Sequence, residues 1–199
     1  MTYPKGKIRS TKDHFPLFAD QPLAFEPGTK NQYSNGGYVL LGAIIEKISG
    51  QSYYDYVQKN IFDPLGMKDT KFFEFDEKVA NLAEGYTSMD AEKGKRRNNL
   101  DTRPAKGSSA GGGYSTAKDL LKFSLGLQTG KIELPEGTPT RKTPDGKFAA
   151  LGIGGGSPGI NTALEIQNGY TIIILSNYDS PSAEKISGKI RGILQNLQK

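Results

Sequence analysis

The 199-residue chain contains no cysteine, which excludes thiol catalysis, disulfide bonds and Cys-rich zinc sites. It has one histidine, His14, so a multi-His metal site cannot be assembled within one chain, and neither a metal nor a cofactor is expected. A Ser-His-Asp triad would have to use His14, which lies in a polar stretch beside Phe15-Pro16 and reads as a solvated loop residue. No apolar run approaches the ~20 residues that a membrane-spanning helix needs. The apolar stretch from Tyr170 to Leu175 is far shorter and reads as a buried strand. The first ten residues are polar and basic without an apolar centre, so no signal peptide is expected, and the sequence leaves the localisation open.

What is present suits a globular chain rich in turns, with 35% hydrophobic residues and 25 glycines, arranged as one domain or two small subdomains. The net charge of +5 is modest. Its densest part, Lys93, Lys95, Arg96 and Arg97 around Gly94, reads as a solvated loop; nucleic-acid binding would want a basic face interleaved with aromatics.

From Gly37, the residues Tyr38, Leu41, Ile44, Ile45 and Ile48 fall at helical spacing, and Gly50 is a natural stop. A second helix starts at Ser52, with Asp55 three residues on, and ends at Pro64-Leu65-Gly66. A short strand is expected around Lys71 to Phe75. Ser115 is expected to cap a helix carrying Ala117, Leu120, Leu121 and Leu125, closed by Gly130. Residues 131 to 148 read as turns or one ragged strand. Thr162 to Ile166 and Tyr170 to Asn177 read as strands joined through Asn168-Gly169, a hairpin signal. After Ser180-Pro181, an amphipathic helix aligns Ile186, Ile190, Ile193, Leu194 and Leu197. The pattern gives an α+β class with four segments: an irregular 1–16, a mainly helical 17–130, a loop 131–148, and a β-hairpin with a covering helix over 149–199.

Four segments carry a resemblance. Pro22 to Thr29 leads into Tyr33-Ser34-Asn35, Asp63 to Met67 reads Asp-Pro-Leu-Gly-Met, and Ala110 to Thr116 and Gly152 to Gly159 are glycine-rich. In this order and spacing they resemble the β-lactamase-like serine hydrolases, which span class C β-lactamases, D,D-peptidases and related esterases. The resemblance runs from about Leu17 to the C-terminus. It implies a partial β-lactamase/transpeptidase-like fold, a helical region plus an antiparallel sheet with a C-terminal covering helix. It also implies hydrolysis of amides or esters of small acyl or peptidoglycan-like compounds through an acyl-serine.

On this resemblance Tyr33 is the base or proton relay; a free phenol titrates near 10 and serves as a base only where nearby cations stabilise the phenolate. Asn35 holds the substrate amide or a lysine. Gly154, Gly155 and Gly156 let substrate lie along a strand edge, where a backbone N–H helps hold the oxyanion. Considered singly, Asn35 could be a helix cap, Tyr33 ordinary core, and the glycine run a bulge or tight turn.

The family's nucleophile motif, Ser-x-x-Lys, belongs well before Tyr-x-Asn, and none of the 32 residues before Tyr33 supplies it. Ser115-Thr116-Ala117-Lys118 and Ser182-Ala183-Glu184-Lys185 match the pattern but read as helix caps. Ile153 stands where relatives carry a polar group, and can neither bind nor transfer a proton. The expectation is a fragment or degenerate member of the family, inactive alone, or else a non-catalytic binding or scaffold module. A homo-oligomer is expected to cover surface that the nucleophile helix would bury. No nucleic-acid partner is expected.

Overall fold

The computed structural model describes residues 6–133, 141–142, 148–167 and 169–197. It has two compact units. The first comprises Met1–Phe62, Lys71–Val79 and Asp101–Tyr114; the second comprises Asp63–Thr70, Ala80–Leu100 and Ser115–Lys199.

In the first unit, helix α1 spans Asn35–Ser49. Its cap is Ser34, whose hydroxyl accepts the Gly37 N–H, so one of the free donors of the first turn is satisfied. At the other end Gly50 adopts φ +68° and returns its N–H to the Glu46 carbonyl, the left-handed stop that glycine enters without strain. The packed face of α1 is Val39 and Gly42. Of the stripe picked out by periodicity, Tyr38, Leu41, Ile44 and Ile48 are exposed, together with Leu40, and Ile45 is half-buried. Periodicity finds an apolar helix face but not what covers it.

Helix α2, Tyr53–Val57, starts at Ser52 as expected, with the Ser52 hydroxyl accepting from Asp55 N–H. It runs on as a π-helical turn over Gln58–Phe62. The Glu46 carboxylate ties this region together by accepting from the Thr11 hydroxyl (2.8 Å) and the Tyr53 N–H (2.9 Å). Tyr54 donates to the Gly107 carbonyl at 2.8 Å. Burial first, then the Glu46 charge, pushes its phenol up to about 12.

Two expectations are corrected in this unit. His14 is not solvated: it lies in a 3-10 helix, Lys12–Leu17, is 6% exposed, and its Nδ1 sits 3.1 Å from the Ser10 carbonyl. A backbone partner lets the ring bury at little cost. The stretch from Lys71 to Phe75 makes only isolated bridges, Lys71 with Tyr114 and Glu74 with Lys106, because the opposing chain is folded back on itself between Ser108 and Gly111.

In the second unit, Asp63–Leu65 forms the short helix α3, ended by Gly66 at φ +65°. Strands β1, Tyr86–Thr87, and β2, Arg97–Asn98, pair antiparallel. The basic segment read as a solvated loop therefore ends in a strand, with the Arg97 guanidinium donating to the Met89 carbonyl at 3.0 Å and Arg96 lying over the Tyr178 ring.

Helix α4 spans Ala117–Gln128. Its cap is Thr116, whose hydroxyl accepts from Asp119 N–H; Ser115, expected to cap, hydrogen-bonds the Thr70 hydroxyl at 2.8 Å. The helix buries Asp119, Ser124, Gly126 and Leu127, while Leu121 and Leu125 are exposed.

The antiparallel sheet has the order β3-β4-β5-β6: Arg141–Lys142, Phe148–Ser157, Ile160–Gln167 and Tyr170–Ser176. Within the connection expected at 131–148, residues 134–140 and 143–147 lie outside the described residues. β5 and β6 pair with Gln167 opposite Tyr170, a spacing that leaves two residues for the turn. One of these, Gly169, has φ +81°; the other, Asn168, lies outside the described residues.

Helix α5, Ser182–Leu197, packs on β5 and β6. Its buried positions are Ala183 and Ser187; of the expected apolar line, Ile190 and Leu194 are half-buried on the same side, while Ile186, Ile193 and Leu197 are exposed, so the line meets the sheet only in part. Close approach selects the small side chains. Asn161 inside the sheet accepts the Ala183 N–H at 2.6 Å and donates to Glu184 at 2.9 Å, and Ser187 donates to Glu165. Helices together with an antiparallel sheet give the α+β architecture expected from the pattern. Among the described residues, no helix is long and apolar enough to cross a membrane.

Candidate functional site

Tyr33 and Asn35 flank the cap of α1. The Tyr33 hydroxyl donates to the Asn35 Oδ1 at 2.9 Å, so the two residues singled out in the sequence do meet. Asn35 is the first residue of the helix and not its cap. Tyr33 is 71% exposed and so is not a core aromatic. Its ring lies 5.5 Å from that of Tyr38, at an interplanar angle of 46°. Periodicity assigns Tyr38 to an apolar stripe and gives no sign of this contact. Gly36 lets the Phe18 ring sit against the first turn, since a Cβ there would meet Phe18 at 3.1 Å.

The glycine segment lies in β4 as regular strand. Gly154 pairs with Ala163, Gly155 with Thr162 and Gly156 with Asn161, without a bulge. None of the three has positive φ. A Cβ on Gly154 would find only the Thr162 carbonyl at 3.9 Å, and one on Gly156 would make ordinary contacts at 3.6 Å and beyond. Gly155 is tighter, with the Thr162 hydroxyl at 2.9 Å. The fold thus has room for side chains at Gly154 and Gly156. Glycine in a strand interior weakens the strand, and often marks a place where a ligand or another backbone approaches closely. Ile153, on the same strand opposite Leu164, is 45% exposed.

Gly156 and Ser157 also line an open surface depression of about 580 Å³, together with Thr87, Ser88, Met89, Pro158, Asp179 and Ser180. Asp179 accepts from Gly159 N–H (2.7 Å), Ser88 N–H (2.8 Å) and the Ser88 hydroxyl (3.0 Å). Burial alone would push its carboxyl up, but these donors and the Thr87 hydroxyl outweigh it and bring it down to about 2.

The two serines of the Ser-x-x-Lys matches have structural partners. Ser115 is engaged with Thr70, and Ser182 donates to the Ser176 hydroxyl at 2.8 Å. Lys118 and Lys185, three residues after them, are exposed. A lysine that activates a hydroxyl works by reaching it in a shielded setting, which an exposed ammonium does not offer. Among the described residues, no three His, Asp or Glu side chains converge as a metal site requires.

The family model described as Beta-lactamase matches residues 9–195. The mouse (Mus musculus) serine beta-lactamase-like protein LACTB, mitochondrial, is 39% identical over 136 residues, covering 66% of this chain and 24% of its own length. The crystal structure of a penicillin binding protein from Bacillus halodurans superposes with a TM-score of 0.80 at 30% identity, over 94% of this chain and 63% of that one. A D-amino acid amidase from Ochrobactrum anthropi SV3, complexed with D-phenylalanine, has the same fold, with a TM-score of 0.75 at 22% identity, over 100% of this chain and 67% of that one. The chain spans about a quarter of the length of the mammalian relatives it matches.

Proposed function

The chain belongs to the β-lactamase family of serine hydrolases, and from that premise we propose that these 199 residues carry its proton-handling and substrate-holding parts but not its nucleophile. Within the first unit Tyr33 is the base or proton relay, with its hydroxyl on Asn35; within the second unit Gly154, Gly155 and Gly156 offer bare strand backbone to a small acyl or peptidoglycan-like compound. Residues 1–32 supply no Ser-x-x-Lys, so this stretch alone performs no acyl-serine turnover.

The observation that carries the reading is the strand glycines. A regular strand with room for a Cβ at Gly154 and Gly156 gains nothing for its own stability from glycine there. Bare backbone suits a ligand that pairs with the strand edge, where main-chain hydrogen bonds supply affinity. Ile153 departs from the family's polar residue and removes one source of proton transfer, which is consistent with a holding role.

The test is an NMR titration of the chain with N-acetyl-D-alanyl-D-alanine. The Gly154–Gly156 amides should shift at millimolar ligand, and Gly154→Val should abolish the shift. No perturbation at these amides would refute the substrate-holding role.

A second reading is a non-catalytic binding or assembly module derived from the same fold. The exposed α1 stripe of Tyr38, Leu41, Ile44 and Ile48 favours it. A contiguous apolar face of this kind marks interaction surfaces, and self-association into a homo-oligomer would cover it.

A further inference from the structure

Tyr33 is largely exposed, and one hydrogen bond in exchange with water holds a phenol ring only weakly. A residue expected to move a proton must nevertheless keep its hydroxyl in one place. The structure offers a support for it. The Tyr38 ring packs on the Tyr33 ring at 5.5 Å, within the range where aromatic pairs attract. Tyr38 lies in the first turn of α1, and its carbonyl accepts the Ser109 hydroxyl at 2.8 Å.

Ser109 reaches that carbonyl through a notch in the helix. A Cβ on Gly42 would lie 2.2 Å from the Ser109 Oγ and 2.7 Å from its Cβ, so only glycine at position 42 leaves Ser109 where it is. The loop bearing Ser109 is itself fixed. Ser108 N–H donates to the Gly111 carbonyl at 2.7 Å, Gly111 N–H returns to Ser108 at 3.0 Å, and the Tyr54 hydroxyl holds the Gly107 carbonyl at 2.8 Å. A continuous series of contacts within one compact unit therefore runs from Tyr54 through Gly107, Ser109 and Tyr38 to Tyr33 and Asn35.

We propose that Tyr38 is a positioning residue: anchored by Ser109 in the Gly42 notch, its ring holds the Tyr33 phenol on Asn35. The catalytic meaning of this arrangement rests on the reading of Tyr33 as proton-handling, but the geometry does not. The conformation of Tyr33 depends on the face presented by Tyr38 and on the Ser109 bond that sets the first turn. The hydroxyl of Tyr38 is not needed, and the ring is.

The experiment is solution NMR of the 199-residue chain with labelled tyrosine and asparagine. Contacts between the Tyr33 and Tyr38 rings and the χ1 couplings of Tyr33 are read alongside thermal melts. The unaltered chain should show the ring–ring contact and one dominant Tyr33 rotamer. Tyr38→Leu should average the Tyr33 couplings and shift the Asn35 side-chain amide, and Tyr38→Phe should restore both. Ser109→Ala, which needs no repacking, should give partial averaging, and is the second variant if Tyr38→Leu does not fold. Gly42→Ala should behave like Ser109→Ala or worse, and adding Ser109→Gly should recover the fold without recovering the rotamer. A single Tyr33 rotamer in folded Tyr38→Leu or Ser109→Ala, or an averaged rotamer in the unaltered chain, overturns the proposal. None of these readouts involves turnover, so failure of the proton-handling reading leaves this result standing or falling by itself.

Discussion

Asp119, fully buried at the start of α4, accepts the Asp69 N–H at 2.7 Å and the Thr70 hydroxyl at 3.0 Å on one oxygen, and lies 2.7 Å from the Lys122 ammonium on the other. This single carboxylate ties the residues after the Pro-Leu-Gly-Met turn to the helix that follows Ser115. Asp119→Asn keeps the shape, but it removes the charge and turns one acceptor into a donor facing other donors. The expected loss is about 1–3 kcal/mol, the cost of unsatisfied buried partners. It falls short of the ~3–5 kcal/mol for a wholly buried ion pair because Lys122 is partly exposed and can turn to water. Urea denaturation of the variant checks the figure.

Acid should weaken the second unit in a defined window. Asp179 is lowered to about 2 against burial by its backbone and hydroxyl donors, and Asp119 is lowered in the same sense. Each carboxylate binds its proton more weakly in the folded chain than in the unfolded one. Its contribution is therefore complete above the ordinary carboxylate range near pH 4 and is lost as the pH falls toward about 2. Denaturation midpoints between pH 2 and pH 6 should fall on the acid side, and Asp179→Asn should flatten that fall. A pH-independent midpoint below pH 4 would contradict the assignment.

Gly154→Ala should leave the fold intact or stabilise it by up to about 1 kcal/mol, because the Cβ meets only the Thr162 carbonyl at 3.9 Å and strand glycine is entropically unfavourable. Thermal melts measure this. A loss of stability would mean that the strand itself, and not a ligand, requires glycine at this position.

Much of the architecture is legible in the sequence because it rests on local chemistry. Ser52 begins one helix and Gly50 ends another through bonds made within one turn. The two-residue spacing between Gln167 and Tyr170 sets the β5–β6 register. What local pattern could not supply is which face meets what. The apolar stripes of α1 and α5 are real, yet only Ile45 of the first and Ile190 and Leu194 of the second are half-buried, and the fully buried positions are Val39 and Gly42 in one, and Ala183 and Ser187 in the other. Burial of His14 depends on a backbone acceptor that no periodicity reveals. At the candidate site, Tyr33 and Asn35 could be read from their motif. Tyr38 and Ser109 could not, because they meet across 71 positions of sequence.

The exposed α1 stripe should drive self-association. Light scattering at micromolar concentration is expected to give a mass above the 21.6 kDa of one chain. Leu41→Glu combined with Ile48→Glu should return it to a monomer, still folded because both side chains are exposed in the single chain, with a melting midpoint that no longer rises with concentration. A monomeric unaltered chain that binds no hydrophobic dye would contradict this.

The central claim, a β-lactamase-family stretch that lacks its nucleophile, is tested most directly by intact mass spectrometry after incubation with a fluorescent penicillin and with a fluorophosphonate. The account predicts an unchanged mass with both reagents, because Ser115 and Ser182 are engaged with Thr70 and Ser176 and the lysines that follow them are exposed. A stoichiometric adduct localised to Ser115 or Ser182 would contradict it, and would make that serine the nucleophile.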